Sequence, residues 1–386
     1  MRYWPICYRI KYPQGHHMDN QEHQFLFAVD DLRSFTRRIF VKAGLSCEDA
    51  AVETDSLIEA NLRGVDTHGI TRMLVIYVKR LMKGSVNAKG LPHVVSESPS
   101  TALVDGDNAM GAVAANFAME ICIAKAKKAG SAWVSVKNSN HFGACAYWAM
   151  KASRAGMVGF STSNGAANMA PWGGVAPFTS SNPLAFAVPA GSGRSIVLDM
   201  ATSVVAKGKI FLAAKQGKAL PEGWALDNRG RPTTDPRAAI DGLVMPLGGH
   251  KGYALALMLD ILSGILSGAA FGPHIGQQYG DFDRSQNIGH LFSAIDVSCI
   301  VPLAEFIARV DQLANEIHAA ETADGVTRIY VPGEIEDETR EKRLKEGIPL
   351  PWAVVEDFAK LGDDLGTPFP RPLEKKPEHS SFTEKC

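Results

Sequence analysis

No G-x-G-x-x-G run follows a strand in this 386-residue chain, so the fingerprint of a Rossmann dinucleotide fold is missing. A phosphate loop of the form G-x-x-x-x-G-K-[ST] is absent too, because Gly208-Lys209 lacks the upstream glycine and the following hydroxyl. Without G-x-S-x-G or H-E-x-x-H, serine-hydrolase and zincin readings fall away. The six cysteines (Cys7, Cys47, Cys122, Cys145, Cys299, Cys386) are far apart, with no C-x-x-C and no zinc-type Cys/His spacing. They read as reduced, packed thiols of a cytoplasmic protein, and no metal is expected. A formal net charge of -1 leaves no basic field for nucleic acid or anionic lipid.

Residues 1–23 have neither the continuous apolar core nor the small-residue cleavage site of a signal peptide. They read as a non-core leader in which Met18 is a second candidate start. The longest apolar run, 253–271, carries Asp260 near its middle and is interrupted by Gly264 and Gly268. A charge at bilayer centre costs about 3 kcal/mol. The run is therefore expected to be a helix buried in the core or at a subunit contact, and not a membrane span.

What the chain does contain is an ordinary globular composition, 46% hydrophobic and 21% charged, with 36 glycines gathered in clusters. Apolar periodicity predicts helices over 29–44 and 47–62, the second opened by Ser46 as a capping-box variant. After a polar break at 64–69 a third helix is expected over 70–83, then a linker at 84–100. A strand over 101–105 and a helix over 111–129 follow, and strands and helices alternate from 132. Further expectations are strands at 132–136, 157–161, 184–188 and 195–199, and helices at 144–155 and 203–215. A loop-rich stretch at 220–238 precedes the apolar helix. Beyond it come a strand at 291–297, a helix at 302–318, a strand at 328–331 and a helix at 336–346. The fold class is α/β (α+β) with mixed connections, residues 24–95 and 300–365 forming a helical lobe and 96–299 a strand-bearing domain. Residues 366–386, rich in Pro, Lys and Glu, are expected to be a disordered tail.

Four polar corners could carry chemistry. His141 stands where a strand turns into a helix, beside Asn138-Ser139-Asn140 and Gly143, and a histidine near its ordinary pKa can exchange a proton with a substrate oxygen. The bland alternative is a structural histidine. His68 and Arg72 lie four apart and share a face if a helix begins near Thr67; the arginine fork suits a carboxylate, whereas a surface pair is the alternative. Asp199-Met200-Ala201 ends a strand and could hold a ribose hydroxyl, with Thr202 or Ser203 capping the next helix. Gly248-Gly249-His250-Lys251-Gly252 offers backbone amides and a lysine at a helix start, an anion site unless it is only a hinge.

Taken in order, the blocks GVDTHG at 64–69 with Arg72, SNHFG at 139–143, APWGG at 170–174, NPLA at 182–185, DMAT at 199–202, PTTDP at 232–236 and GHKGY at 249–253 resemble the malate/L-lactate dehydrogenase family that lacks the Rossmann fold. The likeness spans about residues 27–365. It implies NAD or NADP as cofactor, a 2-oxo or 2-hydroxy acid as substrate, a homodimer and an unusual mixed-sheet cofactor domain. It also implies His141 as the acid/base, with His68 and Arg72 at the substrate. Asn164, Gly165, Asp199, Met200, Ala201, Lys251, Glu334, Ile335 and Glu336 would touch the cofactor. Relatives acting on ureidoglycolate, sulfolactate or cyclic ketimines (piperideine-2-carboxylate type) keep those substrates open, and a catalytically idle dinucleotide-binding scaffold is the reading from another class.

Overall fold

The protein is described here by a computed structural model covering residues 24–374. The expected leader 1–23, Cys7, Cys386 and the tail from 375 onward lie outside the described residues. The chain opens with β1 (Gln24–Phe27), α1 (Val29–Lys42), α2 (Cys47–Leu62) and α3 (Ile70–Lys83). Leu32, Phe35, Ile39 and Phe40 recur at helical spacing along α1 and are fully buried. The Ser46 hydroxyl accepts the Asp49 amide at 3.0 Å and so starts α2. Gly84, in the left-handed region at φ 76°, ends α3.

Next come β2 (His93–Glu97), β3 (Thr101–Asp105), α4 (Gly111–Ala129), β4 (Ser131–Ser139), α5 (Cys145–Arg154), β5 (Met157–Ser163), β6 (Leu184–Pro189) and β7 (Ser195–Met200). They are followed by α6 (Lys207–Gln216), β8 (Ala225–Leu226), β9 (Pro232–Thr233), α7 (Pro236–Ile240), β10 (Leu243–Val244) and α8 (His250–Asp260). α8 runs on as a π-helical turn over Ile261–Ile265, and β11 (Ile288–Asp296), α9 (Leu303–His318), α10 (Glu334–Glu346), β12 (Ile348–Pro351) and α11 (Trp352–Asp364) complete the order.

Seven strands form one sheet in the order β2-β3-β4-β11-β5-β6-β7. Its one parallel pair among the described residues is β3 with β4, so the architecture is mixed α/β and not a doubly wound parallel sheet. α4 and α5 cover one face. The alanines of α4 that pack there (Ala112, Ala115, Ala118, Ala126) are fully buried, and their small size lets the helix approach Val134, Val136 and Phe292 closely. A second core gathers α1, α2, α3 and α11 around the pair β1–β12, which joins the two ends of the described chain. A third, smaller one lies between α6, α7, α8 and the short strands β8 and β10.

Several sequence expectations are corrected. The linker 84–100 contains β2, which forms an edge of the sheet. The helix expected from 203 begins at Lys207, because Ser203 bridges to Pro246 and the Val204 amide donates to Met245. Residues 328–331 form no strand; the Val331 amide is taken by the Glu334 carboxylate at 3.0 Å. The loop-rich stretch holds β8 and β9; β8 pairs with β9 on one side and β10 on the other as a small separate sheet. α9, expected among the lobe helices, instead offers Asp311 to the Gly191 amide between β6 and β7. The expected disorder beyond 366 does not extend to 366–374, where the Phe369 ring packs at 5.1 Å from Phe27 and 4.9 Å from Phe35. Cys122 and Cys145 are buried thiols, but Cys47 and Cys299 are exposed and not packed.

No helix among the described residues is long and apolar enough to cross a membrane. Asp260 is buried at the end of α8, accepting Asn164 Nδ2 at 2.9 Å and the Gly272 amide at 3.1 Å. One side of that helix is not buried, however: Leu255, Met258, Leu262, Ile265 and Leu266 are exposed.

Candidate active site

α3 is the spine of the site. Arg72, Met73, Tyr77 and Arg80 follow one another down the side that meets the segment 275–287 and the loop after β4. Arg80, 1% exposed, donates to the carbonyls of Gln277 (3.0 Å), Asp281 (3.0 Å) and Arg284 (2.7 Å), which pins that segment to the helix. The Arg72 guanidinium lies 5.0 Å from the centre of the Tyr279 ring. Among the described residues it forms no ion pair, which leaves a half-buried cation available.

His68 and Arg72 are brought together, though not on one helix face. His68 belongs to a short 3-10 turn, Asp66–His68, ahead of α3. That turn is fixed from below: Asp66 is held by Arg343 of α10 at 2.6 and 3.0 Å, and by Asn61 at 2.6 Å. The imidazoles of His68 and His141 stack at 5.6 Å with 19° between their planes.

His141 lies in the loop between β4 and α5, one residue past Asn140, whose side chain donates to the Ala109 carbonyl at 2.8 Å. Its own amide donates to Gln286 at 3.2 Å. Gly143, at φ 79°, is confined to glycine both by that conformation and by Ser56, whose hydroxyl would lie 2.9 Å from an added Cβ. The Gly143 amide donates to His141 Nδ1 at 3.3 Å, and the Tyr77 hydroxyl lies 2.5 Å from the same nitrogen. An amide can only donate, so Nδ1 holds a lone pair and the neutral ring carries its proton on Nε2. Burial, then His68, His290 and Arg72 in that order, press the His141 pKa down to about 3. Burial and Arg72 lower His68 to about 4. Both rings are therefore neutral at physiological pH.

Under the loop, His290 of β11 donates to or accepts from Ser163 and Ser139, each at 2.9 Å, and stacks on Phe142 at 4.5 Å. The sequence pointed to neither His290 nor Tyr77, Tyr279 and Gln286. The polar run GQQYGDFDRSQN at 276–287 was the available signal for two of them.

The residues expected to touch a dinucleotide fall on connected pieces. Asp199, on edge strand β7, accepts the Ala146 amide at 3.2 Å and so ties β7 to the first turn of α5. Dense surroundings pull its pKa upward while the Ala146 amide and Arg63 pull it back, and the side chain itself stays solvent-exposed. Met200 and Ala201 continue towards Thr202, whose carbonyl accepts the Leu247 amide at 2.8 Å, and this brings the turn before Lys251 alongside. Lys251 is exposed in the first turn of α8, which has no side-chain cap. The segment before α10 docks on β7 through Val197 N and Pro332 O, 2.9 Å apart. There Glu336 is near enough to raise Asp199, Ile335 is exposed, and the Glu334 carboxylate is occupied by His318 and the Val331 amide. Asn164 is fully used in structure: Nδ2 donates to Asp260 and the Ala270 carbonyl, and Oδ1 accepts the Gly289 amide. Gly165 packs on Ser180.

The profile of the malate/L-lactate dehydrogenase family matches residues 27–359. The chain belongs to that family. Malate dehydrogenase of Pyrococcus abyssi is 39% identical over 345 residues, covering 87% of this chain and 94% of the relative. Ureidoglycolate dehydrogenase (NAD(+)) of Escherichia coli K12 is 35% identical, covering 80% and 88%. The solved sulfolactate dehydrogenase of Methanocaldococcus jannaschii superposes with a TM-score of 0.84 at 35% identity, covering 90% of this chain and all of that one. The mixed sheet is thus a fold shared with other family members.

The donor set of this malate/L-lactate dehydrogenase family member fits a dinucleotide. The uncapped amides and Lys251 at the start of α8 suit a pyrophosphate, and beside the end of β7 Thr202 keeps a buried hydroxyl without a partner among the described residues.

Proposed function

We infer that this chain is an NAD(P)-dependent oxidoreductase transferring a hydride between nicotinamide and a 2-oxo or 2-hydroxy acid. The observation that carries it is the Arg72 guanidinium, which has no ion-pair partner among the described residues, beside His141, whose Nε2–H is set by the Gly143 amide. The bound cofactor supplies the hydride. Asp199 to Ala201 and Lys251, on the sheet-bearing segment 96–299, and the start of α10, which follows it in the chain, are the residues that would hold it. Arg72 clamps the substrate carboxylate and fixes the carbonyl, so that the reacting groups meet in one orientation. His141 gives its Nε2 proton to the oxygen that becomes hydroxyl, and the neutral His68 ring walls that side of the cleft.

The test is a panel of oxaloacetate, pyruvate and a cyclic ketimine carboxylate, each with NADH and NADPH, followed by loss of nicotinamide absorbance. Turnover of a 2-oxo acid is expected. Turnover confined to the ketimine would move the substrate class to imines, and none at all alongside NADH binding would favour an idle scaffold.

We also propose a cytoplasmic homodimer. Two exposed free thiols, Cys47 and Cys299, suit a reducing compartment. The exposed side chains of α8 and its π-helical turn recur at helical spacing, and Trp133 and Phe186 are exposed on the sheet as well. Apolar area of this kind is characteristic of subunit contacts. Light scattering after gel filtration is expected to give twice the chain mass, and the doubly charged variant Met258→Arg/Ile265→Asp to give the single-chain mass. A wild-type protein of single-chain mass would remove the proposal.

A further inference from the structure

Beneath the His141 loop lies a carboxylic acid that the mechanism above does not use. Glu53, in α2, is fully buried, and among the described residues neither of its oxygens has a hydrogen-bond partner. A carboxyl stripped of water without a partner is among the most costly groups a core can hold.

Its surroundings meet the acid/base histidine from three sides. The Ala112 amide at the first turn of α4 faces the carboxyl without closing a bond of normal geometry. That same turn is wedged against the histidine loop, since a Cβ on Gly111 would lie 2.2 Å from the Asn140 carbonyl oxygen and 2.3 Å from that of His141. Ser56, three residues along α2, has a buried hydroxyl without a partner among the described residues, and that hydroxyl fills the space a Cβ on Gly143 would need. From α3, Tyr77 holds His141 Nδ1 and is near enough for the Glu53 charge to raise its own pKa. The other ionisable neighbours are Asp49 on α2 and Tyr147 from α5. Arg33 of α1 and Arg340 of α10 are taken up by Asp55 and Glu59.

A neutral His141 cannot give away its Nε2 proton unless Nδ1 gains one, because it would otherwise be left as an imidazolate, a far stronger base than the substrate alkoxide site can support. We propose that Tyr77 and Glu53 form a proton relay behind His141 and that Glu53 is the source of the proton that completes each reduction. The proposal rests on His141 being the acid. As hydride reaches the carbonyl carbon, the Nε2–H bond breaks and an O–H bond forms on the substrate. The Tyr77 hydroxyl proton passes to Nδ1, and the Glu53 carboxyl proton passes to the Tyr77 oxygen. His141 and Tyr77 end neutral, the histidine in its other tautomer, and Glu53 ends as a carboxylate facing the positive end of α4. The last link needs rotation of the Glu53 side chain, which no competing hydrogen bond from the described residues restrains. Once product has left, solvent returns a proton to Nε2 at the partly exposed edge of the His141 ring, the Nδ1 proton goes back to the Tyr77 oxygen and the Tyr77 proton to Glu53, which resets the relay. Oxidation runs the transfer path backwards.

Burial raises the Glu53 pKa to about 8, so the acid is stocked with its proton at neutral pH. Reduction then requires protonated Glu53, and its turnover falls as pH rises through that ionisation. Glu53→Gln keeps shape and burial but cannot release a proton. It is expected to lower kcat for 2-oxo acid reduction by roughly tenfold or more with KM unchanged, and to erase the alkaline fall. Tyr77→Phe is expected to do the same. Infrared titration without substrate or cofactor is expected to show a protonated carboxyl band in the wild type at neutral pH that Glu53→Gln lacks. Wild-type kcat and an unchanged alkaline limb in Glu53→Gln, or no protonated carboxyl in the wild type, would overturn the relay. His141→Ala separates the two failures: if it is inactive while Glu53→Gln is normal, only the relay falls, and if it is fully active the acid assignment falls first.

Discussion

His141→Ala is expected to reduce turnover of a 2-oxo acid by about 10²–10⁴-fold, the range a positioned acid–base group contributes. NADH binding, followed by its fluorescence, is expected to persist, because the residues proposed to hold the cofactor lie on β7, α8 and α10 and not on the histidine loop. The loss falls on kcat because the Nε2 proton is needed only once charge develops on the substrate oxygen. Folding should survive the change. The ring keeps a partly exposed edge, and the loop is held independently by Asn140, by Gln286 and by the Phe142–His290 stack. A thermal melt beside the kinetics separates lost chemistry from lost structure. Full activity in this variant would show that the proton comes from elsewhere.

Arg72→Ala is expected to lower kcat/KM for the same substrate by about 10²–10³-fold. Removing one partner of a desolvated, hydrogen-bonded charge pair costs about 3–5 kcal/mol, and each decade of rate corresponds to about 1.4 kcal/mol. Most of the effect should fall on KM, with a part on kcat as the carbonyl loses its fixed orientation. Arg72→Lys retains the charge but not the planar fork and gives up the Tyr279 ring contact, so an intermediate loss of about tenfold to a hundredfold is expected. Steady-state kinetics on oxaloacetate and pyruvate measure all three proteins. If the lysine variant matched the wild type, a simple point charge would suffice and the fork would have no part in recognition.

The elements most legible in the sequence are those set by local rules. α1, α2 and α3 follow from apolar periodicity and the Ser46 cap, and their ends fall within a residue or two of expectation. The spacing of His68 and Arg72 suggests a shared helix face, whereas His68 sits in a turn ahead of α3, and its stacking on His141 depends on how α3 packs. Long-range partners were illegible. His290 reads as a lone histidine in an apolar strand, and its bonds to Ser139 and Ser163 span 151 and 127 residues. Glu53 looked like one polar position on an ordinary helix. The available hint was the density of polar residues along α2, where Glu53, Thr54, Ser56 and Asn61 are all buried. The blocks shared with the malate/L-lactate dehydrogenases located the corners of the site without telling which side chains face into it. Asn164 and Glu334 illustrate this, since both turn out to be engaged in holding loops together.

The place of β11 in the sheet has a consequence for how the molecule comes into being. During synthesis β4 and β5 leave the ribosome well before residues 288–296, yet the ladder between them does not exist without that strand. Until it arrives, each of the two earlier strands has an unpaired edge, and the hydroxyls of Ser139 and Ser163 lack the imidazole that bridges them. Strand insertion of this kind defers the cost of closing a long loop to a late step, which slows folding and lengthens the time that sticky edges are open to other chains. The nascent protein therefore has its greatest need of chaperone protection while its middle third is already made and its central strand is not.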